Sequence, residues 1–282
     1  MLKTRIITAA VLIPAVLAAL FLLPPRWWGF VVLAIILGAA YEWARLVALP
    51  RWLEYAFLLA MLVIPTFLIL APDAGFARGW PSAIVYVVCG LAALFWIFVA
   101  PPWVIARWPT QSKIAMTALG LIVLIGTWLA VVQLQARSPW LVLAAMAVIW
   151  IADTAAYFTG RTFGRHKLAP MVSPGKSWEG VYGAWIAVAI YAAALLPLAE
   201  RAGYHGVTGP GAIVVWLVFV VALASISVVG DLFESLLKRH AGVKDSGTLL
   251  PGHGGILDRT DALLAAMPIA AVAAQFVLGR NA

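Results

Sequence analysis

The sequence predicts an all-α integral membrane protein of about nine transmembrane helices with a cytoplasmic N-terminus, and three observations carry that prediction. Hydrophobic residues make up 65% of the chain and charged residues 11%, with a mean hydropathy of +1.02. A soluble core cannot absorb that much apolar surface, whereas a bilayer can. The 14 tryptophans tend to stand near the ends of apolar runs, as at Trp27, Trp28, Trp80, Trp103 and Trp108, where an interfacial aromatic belt would place them. The third observation is the sidedness of Lys and Arg once the spans are set.

A spanning helix needs about 20 apolar residues to cross roughly 30 Å of hydrocarbon. Nine stretches qualify, at about 6–23, 27–47, 53–71, 81–100, 114–134, 139–159, 179–199, 211–231 and 262–279. Lys3 and Arg5 ahead of the first run resemble the start of a secretion signal. That run has the length of a span and no convincing cleavage site follows it, so it reads as the first helix. Pro14, Pro65, Pro197 and Pro268 fall inside spans or near their ends, which membrane helices tolerate. The linkers carry turn residues: Pro24-Pro25, Pro72-Asp73, Pro101-Pro102 and Gly209-Pro210-Gly211. Residues 1–135 read as N-terminal membrane helices, about five spans. Residues 136–282 read as a catalytic half of about four spans with cytoplasmic loops 160–178 and 232–261. No soluble domain, low-complexity tract or internal repeat interrupts the pattern.

With nine spans, 14 of the 19 Lys and Arg residues fall on the N-terminal side and five on the other. The excess places the N-terminus and the two long polar loops in the cytoplasm. An even number of spans would divide those loops across the membrane. The formal charge of +8 therefore reads as orientation charge and affinity for a lipid bilayer with anionic headgroups, with no nucleic acid as partner. The single cysteine, Cys89, lies in an apolar run, so no intrachain disulfide forms and a packed thiol is expected.

Chemistry concentrates in the two loops. Of the 11 acidic residues, five lie between Asp231 and Asp261. Asp231, Glu234, Ser235 and Lys238 have helical spacing, so the eighth span extends into the cytoplasm as a polar helix. Asp258 and Asp261 are three apart where the ninth helix should begin, which lets both face one way while one of them also caps. Between Lys238 and Asp258, His253, Gly254 and Gly255 give a backbone that a ligand can approach closely. In the other loop, Asp153 stands about two turns from the cytoplasmic end of the sixth span, where a carboxylate is costly unless it has a function or a partner.

Gly175-Lys176-Ser177 resembles the end of a P-loop, but Pro170 stands where the first glycine belongs and a membrane helix precedes it. A turn bearing Lys176 and Ser177 at a helix start can still offer N–H groups and a cation to phosphate. The four histidines lack zinc spacing. Carboxylates Asp153, Asp231, Asp258 and Asp261, mixed with Lys176, Lys238, Arg239, Lys244 and Arg259, suit Mg²⁺ held by oxygens with a polyphosphate bridged to it. That is the residue set of phosphoryl or nucleotidyl transfer.

Ser235-Leu236-Leu237-Lys238-Arg239, then Lys244-Asp245-Ser246-Gly247, then Leu250-Pro251-Gly252-His253-Gly254-Gly255-Ile256-Leu257-Asp258-Arg259-Thr260-Asp261 closely resembles the signature of phosphatidate cytidylyltransferases, or CDP-diacylglycerol synthases. No position of these 27 departs from it. The block Asp153…Ser173-Pro174-Gly175-Lys176-Ser177-Trp178-Glu179-Gly180 is similar to the family's as well, with Gly175 where many relatives carry a bulkier, often basic residue. The resemblance covers the C-terminal half; the first 110 residues read only as membrane spans.

The resemblance implies conversion of CTP and phosphatidic acid to CDP-diacylglycerol and pyrophosphate with Mg²⁺. The compactness of the chain, with no appended domain, points to a bacterial inner membrane. The resemblance also implies metal ligation by Asp231 and Asp258, with Asp261 ligating or orienting and Asp153 a further carboxylate candidate. Lys176, Lys238, Arg239, Lys244 and Arg259 would surround phosphates, and Ser177, Asp245, His253, Gly254 and Gly255 would contact the nucleotide. Two other readings stay open: a CTP-dependent kinase of a polyprenol-type lipid, and an ion-coupled transporter. Helix bundles of this kind often pair, so a homodimer also stays open.

Overall fold

A computed structural model describes residues 2–71, 79–110, 112–201, 209–249, 252 and 254–278. Among these residues the chain forms nine helical rods and one small hairpin. In order they are α1 (Leu2–Leu22), α2 (Pro25–Leu46), α3 (Arg51–Leu70), α4 (Ser82–Ala106), α5 (Lys113–Arg137), α6 (Pro139–Phe163), β1 (Lys167–Ala169), β2 (Ser173–Ser177), α7 (Trp178–Arg201), α8 (Pro210–His240) and α9 (Leu257–Leu278). Helices α2 to α9 are long and apolar enough to cross a bilayer, and the stretch Ile13–Leu22 of α1 is apolar too. The fold is thus the expected all-α membrane bundle.

Helix starts follow their residues. Pro25, Pro139 and Pro210 each occupy the first turn of a helix, where the missing N–H has no partner to lose. Ser112 caps α5 by accepting from the Ala115 N–H at 3.3 Å. Prolines 101 and 102 do not end α4 as turn residues would. The rod passes through them by way of a π-helical segment, Phe95–Val99, which absorbs the missing hydrogen bonds.

Helix α5 is the axis of the bundle and packs on α2, α4 and α9. Its buried polar groups bond to neighbouring backbones. Trp128 Nε1 donates to the Gly29 carbonyl at 3.0 Å, and Thr127 Oγ1 to the Leu264 carbonyl at 3.2 Å. Lipid offers such groups no partner, so each bond fixes one helix against another. At one end of the bundle Gln275 ties three elements, bonding Gln133, Arg137 and Ser82.

Among the helix pairs that approach closely through glycine, two bear on the polar end of the bundle. Between α6 and α7, a Cβ on Gly180 would lie 2.9 Å from the Ala156 carbonyl oxygen. Between α8 and α9, a Cβ on Gly230 would lie 2.6 Å from the Asp261 carbonyl oxygen and 2.8 Å from Ala265 Cβ. The second contact sets Asp231 beside Asp261.

Loop 160–178 is more ordered than a linker. Helix α6 continues to Phe163, and β1 and β2 then pair antiparallel, Lys167 with Ser177 and Ala169 with Ser173. Lys176 therefore sits on a strand just ahead of α7, where a turn was expected. Of loop 232–261, residues up to His240 belong to α8 and those from Leu257 to α9.

Candidate active site

The polar end of α8 is held from behind by aromatic rings. Phe233 is buried among Phe95, Trp96, Trp103 and Trp43, with ring centroids 5.4, 5.6, 5.7 and 6.3 Å away. The π-helical segment of α4 supplies Phe95 and Trp96 to this box. With Phe233 fixed on one face, Asp231, Glu234, Ser235 and Lys238 are set on the others.

Asp231 meets the hairpin. Lys176 Nζ lies 2.6 Å from Asp231 Oδ2, and Ser235 Oγ donates to Asp231 Oδ1 at 3.3 Å. Asp153 on α6 lies within electrostatic reach of both Lys176 and Asp231, and Asp261 on α9 within reach of Asp231, Lys176 and Lys238. The structure thus sets Asp231 against Lys176, with Asp153 and Asp261 on two further helices within electrostatic range of that pair. The hairpin that carries Lys176 is anchored at several points. Arg239 Nε donates to the Val172 carbonyl at 3.2 Å, and Trp178 N to the His166 carbonyl at 2.9 Å. Ser177 is buried and caps α7, accepting from the Gly180 N–H at 3.2 Å.

Lys238 and Asp258 form a second centre. Lys238 Nζ bridges Glu234 Oε2 at 2.5 Å and Asp258 Oδ1 at 2.7 Å. Glu234 is buried, and its Oε1 has no hydrogen-bond partner among the described residues. Asp258 Oδ2 accepts two backbone N–H groups, from Ser246 and Gly255, both at 2.9 Å. In return Ser246 Oγ accepts from the Asp258 N–H at 3.2 Å, a reciprocal cap like a capping box but made across a loop.

Below this loop lies a residue that the sequence reading passed over, Glu42 of α2. Its carboxylate is buried, yet it accepts from Ser246 Oγ at 2.9 Å, Ile256 N at 3.1 Å and Leu257 N at 2.8 Å. Three donors offset the desolvation of a buried charge. A side chain at Gly247 or Gly255 would run into this carboxylate. The signal was present in the sequence: a lone acid between Tyr41 and Trp43 in a mostly apolar span.

The remaining predicted residues take outer positions. Lys244, Asp245, Arg239 and Arg259 are exposed. Gly254, at φ +85°, is in the left-handed region, and a Cβ there would stand 3.0 Å from Asp258 Oδ2. His253 lies outside the described residues.

Among the described residues, no group of three or more His, Cys, Asp or Glu converges to hold a metal ion by itself. The donors present nevertheless fit a hard cation. Asp231, Asp261 and Asp153 offer carboxylate oxygens, and Lys176 does not balance three of them while Lys238 is paired with Glu234 and Asp258. Mg²⁺ usually takes one or two carboxylates and completes its shell with water and substrate phosphates.

Comparison with known proteins bears on what the site acts upon. Residues 3–277 match the model of the cytidylyltransferase family. The phosphatidate cytidylyltransferase of Pseudomonas aeruginosa is 36% identical over 279 residues, 95% of each chain. That of Haemophilus influenzae is 36% identical over 297 residues, covering 99% of this chain and 100% of the relative. That of Thermotoga maritima is 31% identical over 283 residues, 99% and 98% of the two chains.

Proposed function

The chain belongs to the cytidylyltransferase family, and we propose that it is a membrane nucleotidyltransferase that converts CTP and phosphatidate to CDP-diacylglycerol and pyrophosphate. The observation that carries this reading is the 2.6 Å pair of Lys176 and Asp231, with Asp153 and Asp261 beside it. Carboxylates and a partly exposed lysine within reach of one another are what a triphosphate needs for binding and charge neutralisation.

In the reaction a phosphate oxygen of phosphatidate attacks the α-phosphorus of CTP in line. A new P–O bond forms while the bond from the α-phosphorus to the bridging oxygen breaks, and pyrophosphate leaves with that electron pair. The attacking phosphate is already ionised at neutral pH, so no strong general base is required. Lys176 turns from Asp231 to the phosphates, and Lys244 and Arg259 add charge at the rim. Lys238, held by Glu234 and Asp258, fixes the loop on which the nucleotide rests. Asp231 and Asp261 would hold Mg²⁺, which would supply charge neutralisation at the phosphates, with Asp153 at its edge.

The bacterial relatives and the Lys and Arg bias support an inner-membrane location with the N-terminus and the site on the cytoplasmic side. Across the proposed division at residue 135 runs one tie: Glu42, from the N-terminal helices, accepts from the backbone of Ile256 and Leu257 in the C-terminal half. The test uses purified protein with Mg²⁺, CTP labelled at the α-phosphate, and phosphatidate in mixed micelles. Label entering lipid together with release of pyrophosphate is expected; CDP as sole nucleotide product without pyrophosphate would overturn the reading in favour of a lipid kinase.

A further inference from the structure

A groove beside the hairpin takes no part in the site described above. Arg165, His166, Lys167, Pro170, Trp178 and Tyr182 line a cleft of about 660 Å³ where α6, the hairpin and α7 meet. One wall is cationic. Glu179, the nearby acid, is already committed: its Oε1 lies 2.7 Å from His166 Nδ1, and both its oxygens accept from the His166 N–H at 3.2 Å. Arg165 and Lys167 are left with no carboxylate partner among the described residues.

The other wall is aromatic and leads away from the cleft. Trp178 and Tyr182 lie 6.1 Å apart by ring centroids. At the same four-residue spacing, one turn after another, follow Ile186 and Ile190, and all four side chains are exposed. This makes a continuous apolar stripe down α7, and the cleft with its three basic residues sits at the head of it. An amphiphile with an anionic head and an acyl chain matches both parts. A nucleotide would fill the cationic mouth and leave the stripe unused.

We propose that this groove is a docking site for phosphatidate, its phosphate held by Arg165 and Lys167 and one acyl chain laid along Trp178, Tyr182, Ile186 and Ile190. The proposal rests on the function given above and deepens it. Lys176 stands two residues before Trp178, so a lipid in the groove is delivered at the edge of the carboxylate cluster.

The test has a kinetic and a binding arm. In mixed micelles, the double variant Arg165→Ala/Lys167→Ala is expected to raise the apparent KM for phosphatidate about tenfold, the size of one charge-assisted contact, with the KM for CTP unchanged. The charge-preserving Arg165→Lys/Lys167→Arg variant should stay near wild type. An unchanged lipid KM, or a rise in the CTP KM instead, would overturn the proposal. In native mass spectrometry of the detergent-solubilised protein, wild type should retain phosphatidate and the double variant should lose it. A second variant, Ile186→Ser, should weaken retention without touching the hairpin, which guards against misfolding of the first. Equal retention by all three proteins sinks the groove even if wild type is active. A wild type that binds lipid in the groove but forms no CDP-diacylglycerol sinks the functional reading alone.

Discussion

Lys176 and Asp231 face each other across the space between the hairpin and α8, with 2.6 Å between Nζ and Oδ2. Neither partner is deeply buried: the side chains keep 25% and 34% of their exposure. A pair so open contributes little to stability, so its place is better explained by exchange with a ligand. Asp231→Asn and Lys176→Met should each lower kcat by about 10²–10³-fold, with melting temperatures close to wild type. The double variant should be no worse than the weaker single, because the two groups act as a unit. Wild-type-like turnover in either single variant removes it from the site.

Activity should require a divalent cation. Chelation should abolish turnover and Mg²⁺ should restore it. Asp261→Asn should raise the Mg²⁺ concentration needed for half-maximal rate, because one of few oxygen donors is lost. An unchanged Mg²⁺ titration with Asp261→Asn would place that carboxylate outside the metal site.

Glu42 acts on the loop, through Ser246 and the backbone of Ile256 and Leu257. In Glu42→Ala the N–H groups of Ile256 and Leu257 lose their acceptor, at a cost of about 1–3 kcal/mol for each orphaned group. The expected result is faster proteolysis within residues 242–256 and a lower melting temperature. Glu42→Gln keeps one carbonyl oxygen and should be milder on both measures.

Gly230→Ala tests the spacing of α8 and α9. Its Cβ would stand 2.6 Å from the Asp261 carbonyl oxygen, and overpacking of this kind costs about 1–3 kcal/mol. It should also lower kcat by moving Asp261 from Asp231. Gly90→Ala, where nothing lies within 4 Å, is the matched control and should leave both stability and rate unchanged.

Asp258 serves the loop through three donors: Lys238 and the N–H groups of Ser246 and Gly255. Asp258→Asn replaces an oxygen by an NH₂ group facing at least one of these donors. Loss of activity should therefore come with a raised KM for CTP, measured at saturating phosphatidate. Lost kcat with an unchanged KM would assign Asp258 to the reacting centre instead.

The sequence made the membrane helices legible because about 20 consecutive apolar residues have few other uses. Asp231, Asp258 and Asp261 stood out for a related reason: charge is rare in such a chain, and these residues concentrate it. Three features were not legible. Prolines 101 and 102 read as a linker, but a π-helical segment carries α4 through them. The hairpin is held by long-range contacts, Arg239 to Val172 and Glu179 to His166, that no local pattern encodes. Glu42 is separated from Ile256 by 214 positions. A lone acid in an apolar span announces a partner without saying which.

Helix α8 also works as a ruler. Asp231 comes 21 residues after its first residue, Pro210, about 32 Å at 1.5 Å per residue, close to the roughly 30 Å thickness of the hydrocarbon. With Asp231 in the proposed site, the reacting phosphorus would stand at the boundary between oil and water. Products of opposite solubility can then part without a gate. Pyrophosphate leaves into the aqueous phase, while the nucleotide-capped lipid slides off sideways in the leaflet it never left.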